Sequence, residues 1–212
     1  MRVAFAAGAG QVVQAPFTAV EGINYAMCVR RTGFDAALVA TARAAGATVY
    51  ESLRVTELIR DGNRVAGVRA VDRAGTVHEV RARLVVGADG RRSTVARLTG
   101  TLDPYRAKPS GRACFFAYWR DGHPEWRDIA AQWREGDLLG TAFPCEEGTV
   151  LSLIQPPVQR GPRAGRDTER RYRDMVAAIP DLALRLNGCE LRGRVRSATD
   201  IVSYFRHSSG PG

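Results

Sequence analysis

The stretch Leu84-Val85-Val86-Gly87-Ala88-Asp89-Gly90-Arg91-Arg92-Ser93-Thr94-Val95-Ala96-Arg97 constrains this chain more than any other. Its first three residues lack the alternation of a half-exposed strand and predict a strand buried on both faces, as in a parallel sheet. Gly87 and Gly90 permit torsions and a close backbone approach that a side chain forbids. A helical run opens near Arg92-Ser93, so the order is strand, tight corner, helix. Such a helix start aims unpaired N–H groups and the positive end of a dipole at the loop, which suits an anion such as a pyrophosphate. Asp89 repels a phosphate at contact. It is therefore expected to accept hydrogen bonds from a sugar hydroxyl, a water or a bridging arginine, with Arg30, Arg31, Arg91 and Arg92 as candidates. An isolated Asp-Gly pair predicts only a turn; the weight rests on the whole string.

The segments before this corner support a nucleotide-binding α/β reading. Phe34 to Ala45 is alanine-rich, places Phe34, Leu38 and Thr41-Ala42 on one face and meets Gly46, which predicts a helix. Strand-like runs follow at Thr48–Tyr50, Val55–Ile59, Arg64–Val71 and Thr76–Ala82, with turns at Asp61-Gly62-Asn63 and Ala74-Gly75. Helix, antiparallel meander, buried strand and Gly-rich corner form a specific succession. Near the start, Gly8-Ala9-Gly10 invites comparison with a dinucleotide fingerprint. Val13 holds the third glycine position and Pro16 interrupts the helix that should follow, so the fingerprint is rejected and a strand or loop pair is expected.

After Gly100 the character changes. Arg112–Trp119 is an aromatic-rich strand candidate, and Leu138–Pro144 with Thr149–Ile154 reads as a hairpin around Glu146-Glu147-Gly148. Pro162 to Arg166 reads as loop. Thr168 to Ile179 places Tyr172, Met175, Val176 and Ile179 on one helical face and stops at Pro180. Ile201–Arg206 is a last strand, ending in Ser208-Ser209-Gly210-Pro211-Gly212. The division expected from this change is residues 1–100 and residues 101–212.

The net charge of +9 raises the question of nucleic acid. All but Lys108 of the 31 basic residues are arginine, and they are scattered rather than gathered in one stripe with aromatic stacking partners. A coding bias explains that pattern, and an anionic small molecule is the more economical partner than a nucleic acid. No run approaches the roughly 18–20 apolar residues of a membrane helix, and the chain is read as cytoplasmic. Cys28, Cys114, Cys145 and Cys189 have no zinc spacing, and reduced buried thiols are the preferred reading. His78, His123 and His207 stand apart, so no catalytic residue and no metal site is assigned.

On these residues the chain resembles the FAD-dependent monooxygenases of the para-hydroxybenzoate hydroxylase-like family. V-V-G-A-D-G-R-R-S-T-V-A-R is similar to that family's second flavin motif, whose aspartate–glycine pair lies near the FAD pyrophosphate and helps NAD(P)H binding. The resemblance thus implies cofactor roles for Gly87, Asp89, Gly90, Arg92 and Ser93. R-R-T-G-F-D-A-A-L is similar to an R-x-x-L-D-x-x-L helix start whose arginine contacts the phosphate–ribityl portion, which implies Arg31, with Arg30 as competitor. Phe34 replaces the usual leucine. Arg54-Val55-Thr56 resembles the strand whose backbone meets the adenine, which implies Val55. Phe115–Arg120 and Ser203–Arg206 resemble strands of the substrate domain, and the terminal G-P-G resembles the segment before a third motif.

The fold so implied is α/β, α+β in part: a partial FAD-binding Rossmann-like domain with an antiparallel β-meander, followed by a β-sheet substrate domain. The similarity runs from about Arg30 to Gly212 and lacks the first fingerprint and the third motif, so the chain reads as cut at both ends. In the intact family NAD(P)H reduces FAD, and the reduced flavin activates oxygen for transfer to a substrate. The resemblance implies an NAD(P)H-dependent monooxygenase acting on a small organic, even aromatic, substrate. Flavin halogenases and double-bond reductases share the middle motif and remain open, as does a non-catalytic fragment of such a flavoprotein. An uncovered sheet edge also predicts self-association.

Overall fold

The computed structural model describes residues 1–158, 167–199 and 201–207. The loop expected at Pro162–Arg166 and the terminal Ser208–Gly212 lie outside the described residues. In chain order the strands are β1 Val3–Gly8, β2 Gln11–Pro16, β3 Arg54–Asp61, β4 Arg64–Val71, β5 Val77–Arg81, β6 Arg106–Pro109, β7 Cys114–Arg120, β8 Ile129–Glu135, β9 Leu138–Pro144, β10 Thr149–Gln155, β11 Glu190–Ala198 and β12 Val202–Phe205. The α-helices are α1 Arg31–Ala44, α2 Thr94–Leu98, α3 Thr168–Ala177 and α4 Pro180–Leu186. The fold is mixed α/β.

Two compact units emerge, and both are discontinuous in sequence. Met1–Ala37 joins Pro109–Ile201, and Leu38–Lys108 joins Val202–Gly212. A break at residue 100 does not coincide with them. The reason is pairing: β1 lies parallel to β8, with Val3 opposite Ile129 and Gly8 opposite Arg134, which carries the start of the chain into the later sheet.

The first unit is a seven-stranded sheet in the order β11-β7-β10-β9-β8-β1-β2. Val150, Ser152 and Ile154 of β10 alternate inward beside Phe115, Ala117 and Trp119 of β7. Helices α3 and α4 cover that face with Tyr172, Ile179, Leu182 and Leu186. Gly140 keeps the packing close there: a Cβ would come within 2.8 Å of the terminal side-chain carbons of Leu182 and Ile179, which would have to shift. Trp119 Nε1 donates to Tyr172 Oη at 3.1 Å, and that hydroxyl donates to the Ser152 carbonyl at 3.3 Å, so the buried polar atoms of the rings are matched. Gly8-Ala9-Gly10 is a hairpin corner here: Ala9 and Gly10 both take positive φ, 51° and 75°, between paired Gly8 and Gln11.

The second unit contains the antiparallel meander β3-β4-β5 and the pair β12-β6. Two expectations fail here. Thr48–Tyr50 forms no strand. Leu84-Val85-Val86 is not a buried parallel strand either: no described strand pairs with it, and Leu84 and Val86 are each 75% exposed. Helix α1 forms as expected yet buries none of its residues, leaving Phe34 and Leu38 exposed. Apolar spacing set the helix, but among the described residues none fully buries its apolar face.

Candidate functional site

The Gly87–Gly90 corner lies in the second unit and is organised by Asp89. Helix α2 is a helix of five residues whose N-cap is Ser93, and the Ser93 hydroxyl accepts from Ala96 N–H at 3.0 Å. Asp89 accepts from Thr94 N–H at 2.6 Å, from Val95 N–H at 3.3 Å and from the Ser93 hydroxyl. The first-turn donors expected to face an anion are therefore satisfied within the chain. Burial opposes ionisation of Asp89, but bonds from the Ser93 hydroxyl and the Val95 and Thr94 N–H groups outweigh it and hold the carboxyl below its usual range.

The two glycines serve different needs. A Cβ at Gly87 would stand 2.7 Å from the Val95 Cβ, so only glycine lets the segment lie against α2. Gly90 has open space around it but a φ of +81°, so its requirement is torsional.

Two clefts flank this corner. One, of about 520 Å³, is walled by Val55, Val68, Val80, Leu84 and Val86, with Arg54, Gly87, Asp89 and Thr94 along it. The other, of about 740 Å³, is lined by Gly87, Gly90 and Ser93 together with the basic Arg64, Arg83 and Arg206. Tyr204 Oη and Arg206 Nη1 both donate to the Arg91 carbonyl, at 3.3 and 3.2 Å, and fasten β12 to the corner. Volumes of this size match small-molecule clefts.

Of the residues named from sequence, Val55, Gly87, Asp89, Gly90 and Ser93 come together here. Arg92 is exposed on the same loop. Leu84 and Val86 were not on that list and turn out to form its apolar wall; the triplet's place beside Gly87 was the available signal. Arg30 and Arg31 belong to the other unit. Arg30 donates its backbone N–H and Nε to Glu146 and pairs Nη2 with Glu147. Arg31 opens α1 and pairs with Asp35 one turn on at 3.0 Å. Arg30 is committed to two carboxylates with 32% of its side chain exposed, whereas 82% of the Arg31 side chain faces solvent. Arg31 is thus the better presented of the two.

Residues 8–111, just under half of the chain, match the family model described as FAD binding domain. Over that region the chain is similar to FAD-binding domains. Digeranylgeranylglycerophospholipid reductase of Methanothrix thermoacetophila is 35% identical over 103 residues, covering 43% of this chain and 26% of that protein. The enzyme of the same name from Methanosarcina acetivorans is 40% identical over 81 residues, 38% of this chain and 20% of its own length. The chain thus spans about a quarter or less of these curated relatives.

Among solved structures, the myxobacterial chondrochloren halogenase, described as an FAD-dependent halogenase variant, matches with a TM-score of 0.79 at 18% identity, over 94% of this chain and 48% of its own. A flavoprotein/dehydrogenase from Cytophaga hutchinsonii matches at 0.74 and 20% identity, over 96% and 50%. At these identities the likeness is one of fold. Relatives and neighbours point to FAD-dependent oxidoreductases broadly rather than to the para-hydroxybenzoate hydroxylase-like branch. No described helix is long and apolar enough to cross a membrane.

Proposed function

We propose that this chain supplies the second flavin-contacting corner and the substrate-side sheet of an FAD-dependent oxidoreductase fed by NAD(P)H. The observation that carries the reading is the Asp89-capped corner, inside the matched FAD-binding region, with an apolar-walled cleft against it. The corner fits part of the cofactor. Val55, Leu84 and Val86 offer an apolar wall for a planar ring, and Gly87 and Gly90 expose backbone at the turn. Asp89 holds the corner's shape by capping α2. Arg31 is assigned, by resemblance, the counter-charge to the phosphate–ribityl portion. FAD, when bound, supplies the electron-transfer chemistry, so no side chain here is given an acid–base role.

Two reactions compete for the substrate side. Monooxygenation of a small organic molecule follows from the motif. Reduction of an isoprenoid double bond is favoured by the 35–40% identity to the two archaeal reductases. A halogenase is the third reading, supported by fold likeness.

The test is FAD titration of the purified chain, read by flavin fluorescence and by the visible band retained after desalting, with Arg31→Ala and Val55→Asp alongside. Binding weakened about tenfold or more in each variant supports the assignments. A folded wild-type chain that retains no flavin favours the non-catalytic fragment, and unchanged affinity in both variants overturns the assignments. With flavin retained, NAD(P)H oxidation that requires oxygen selects monooxygenation, and anaerobic turnover with an isoprenoid acceptor selects reduction.

A further inference from the structure

Cys28 and Cys145 stand 117 positions apart in sequence, and their sulfurs lie 3.4 Å apart in the first unit. Cys28 sits in the segment leading into α1, and Cys145 directly follows β9. The same two segments are tied a residue or two further on by Arg30, whose backbone and guanidinium hold Glu146 and Glu147. The thiols are therefore set side by side by an ion-paired frame that does not depend on them. Cys145 is buried, whereas Cys28 is only partly buried and is the more accessible of the two. The Cys145 thiol donates to the Cys28 sulfur. That bond lowers the Cys28 pKa and raises the Cys145 pKa, so the accessible sulfur is the one favoured as thiolate.

We propose that Cys28 and Cys145 form an oxidisable dithiol: hydroperoxides oxidise Cys28, and Cys145 resolves the product to a disulfide. In the first half the Cys28 thiolate attacks the terminal peroxide oxygen and the O–O bond breaks. Cys28 becomes a sulfenic acid, and the departing oxygen takes up a proton and leaves as water or an alcohol. In the second half the Cys145 sulfur attacks the Cys28 sulfur, the S–O bond breaks, and the hydroxyl leaves with the Cys145 proton as water. Two electrons pass from the thiols to the peroxide, and one disulfide forms. The bond staples the approach to α1 onto the β9–β10 turn, alongside Arg30.

The experiment treats the reduced, desalted full chain with a stoichiometric dose of hydrogen peroxide. Thiols are then counted, and non-reduced proteolytic peptides are mapped by mass spectrometry. The expected result is loss of two of the four thiols in a monomer, a linked Cys28–Cys145 peptide, and a rise of about 5 °C or more in Tm that dithiothreitol reverses. Cys145→Ser should instead accumulate a dimedone-reactive sulfenic acid on Cys28. The double variant Cys114→Ser with Cys189→Ser leaves the pair untouched and should still form the bond. Four thiols surviving, linkage between other cysteines, or linkage only between chains would each overturn the proposal.

Discussion

Two short apolar runs in this molecule meet opposite fates. Val150-Leu151-Ser152-Leu153-Ile154 lies between β7 and β9, and Val150 and Ile154 are fully buried beneath α3 and α4. Leu84-Val85-Val86 is as apolar, yet it pairs with no described strand and exposes two of its three side chains. Burial is a property of the partners rather than of the run. What the exposed triplet retains is position: it enters the Asp89 corner and walls the cleft. The first unit is stabilised by contacts it makes within itself, and the corner is shaped by capping hydrogen bonds.

The largest test of this contrast falls on Asp121. Its carboxylate receives both Arg185 guanidinium nitrogens at 2.8 Å, with the two side chains 2% and 1% exposed. Asp121→Asn leaves a buried guanidinium without its counter-charge and is expected to cost about 3–5 kcal/mol in urea unfolding. Burial opposes the ionised form, but the Arg185 hydrogen bonds and charge prevail and hold Asp121 below the usual carboxylate range. Its contribution is therefore complete above the unfolded pKa of roughly 3.9 and is lost as pH falls toward the lower folded value. The wild-type acid limb should be steeper than that of Asp121→Asn; parallel limbs would remove Asp121 from the account.

Asp89→Ala is the intermediate case. It frees two backbone donors at α2 and should cost about 1 kcal/mol, seen as faster hydrogen exchange confined to residues near 94–96. An effect spread over the seven-stranded sheet would contradict a purely local role. The smallest change is expected from Leu84→Ser. At 75% exposure it should move the unfolding midpoint by less than about 0.5 kcal/mol while weakening FAD binding if the cleft is the site. A loss of several kcal/mol would mean that the triplet is buried after all.

Much of this was legible because its causes are local. Asp61-Gly62-Asn63 and Glu146-Glu147-Gly148 mark real turns, and the strands on either side follow. The corner was legible as a corner. Its wiring was missed: the spacing from Asp89 to Ser93-Thr94 carries a capping pattern, but the helix start was taken as open to a ligand. Pro180 was treated as a stop, although proline suits the first helical turn, and α4 begins on it. β11 is interrupted by three arginines, so its charge hid its pairing with β7. The parallel contact of β1 with β8 leaves no local mark at all.

That last pairing has a consequence for how the chain is made. The meander β3–β5 closes from neighbouring turns and can form as soon as it leaves the ribosome. The β1–β2 hairpin also forms early, but β1 has its second edge open until residues 129–135 have been synthesised. The earliest strand of the first unit thus waits for more than half the chain, holding an unpaired edge throughout. A nascent chain arrested before β8 would carry that hairpin as its most adhesive feature.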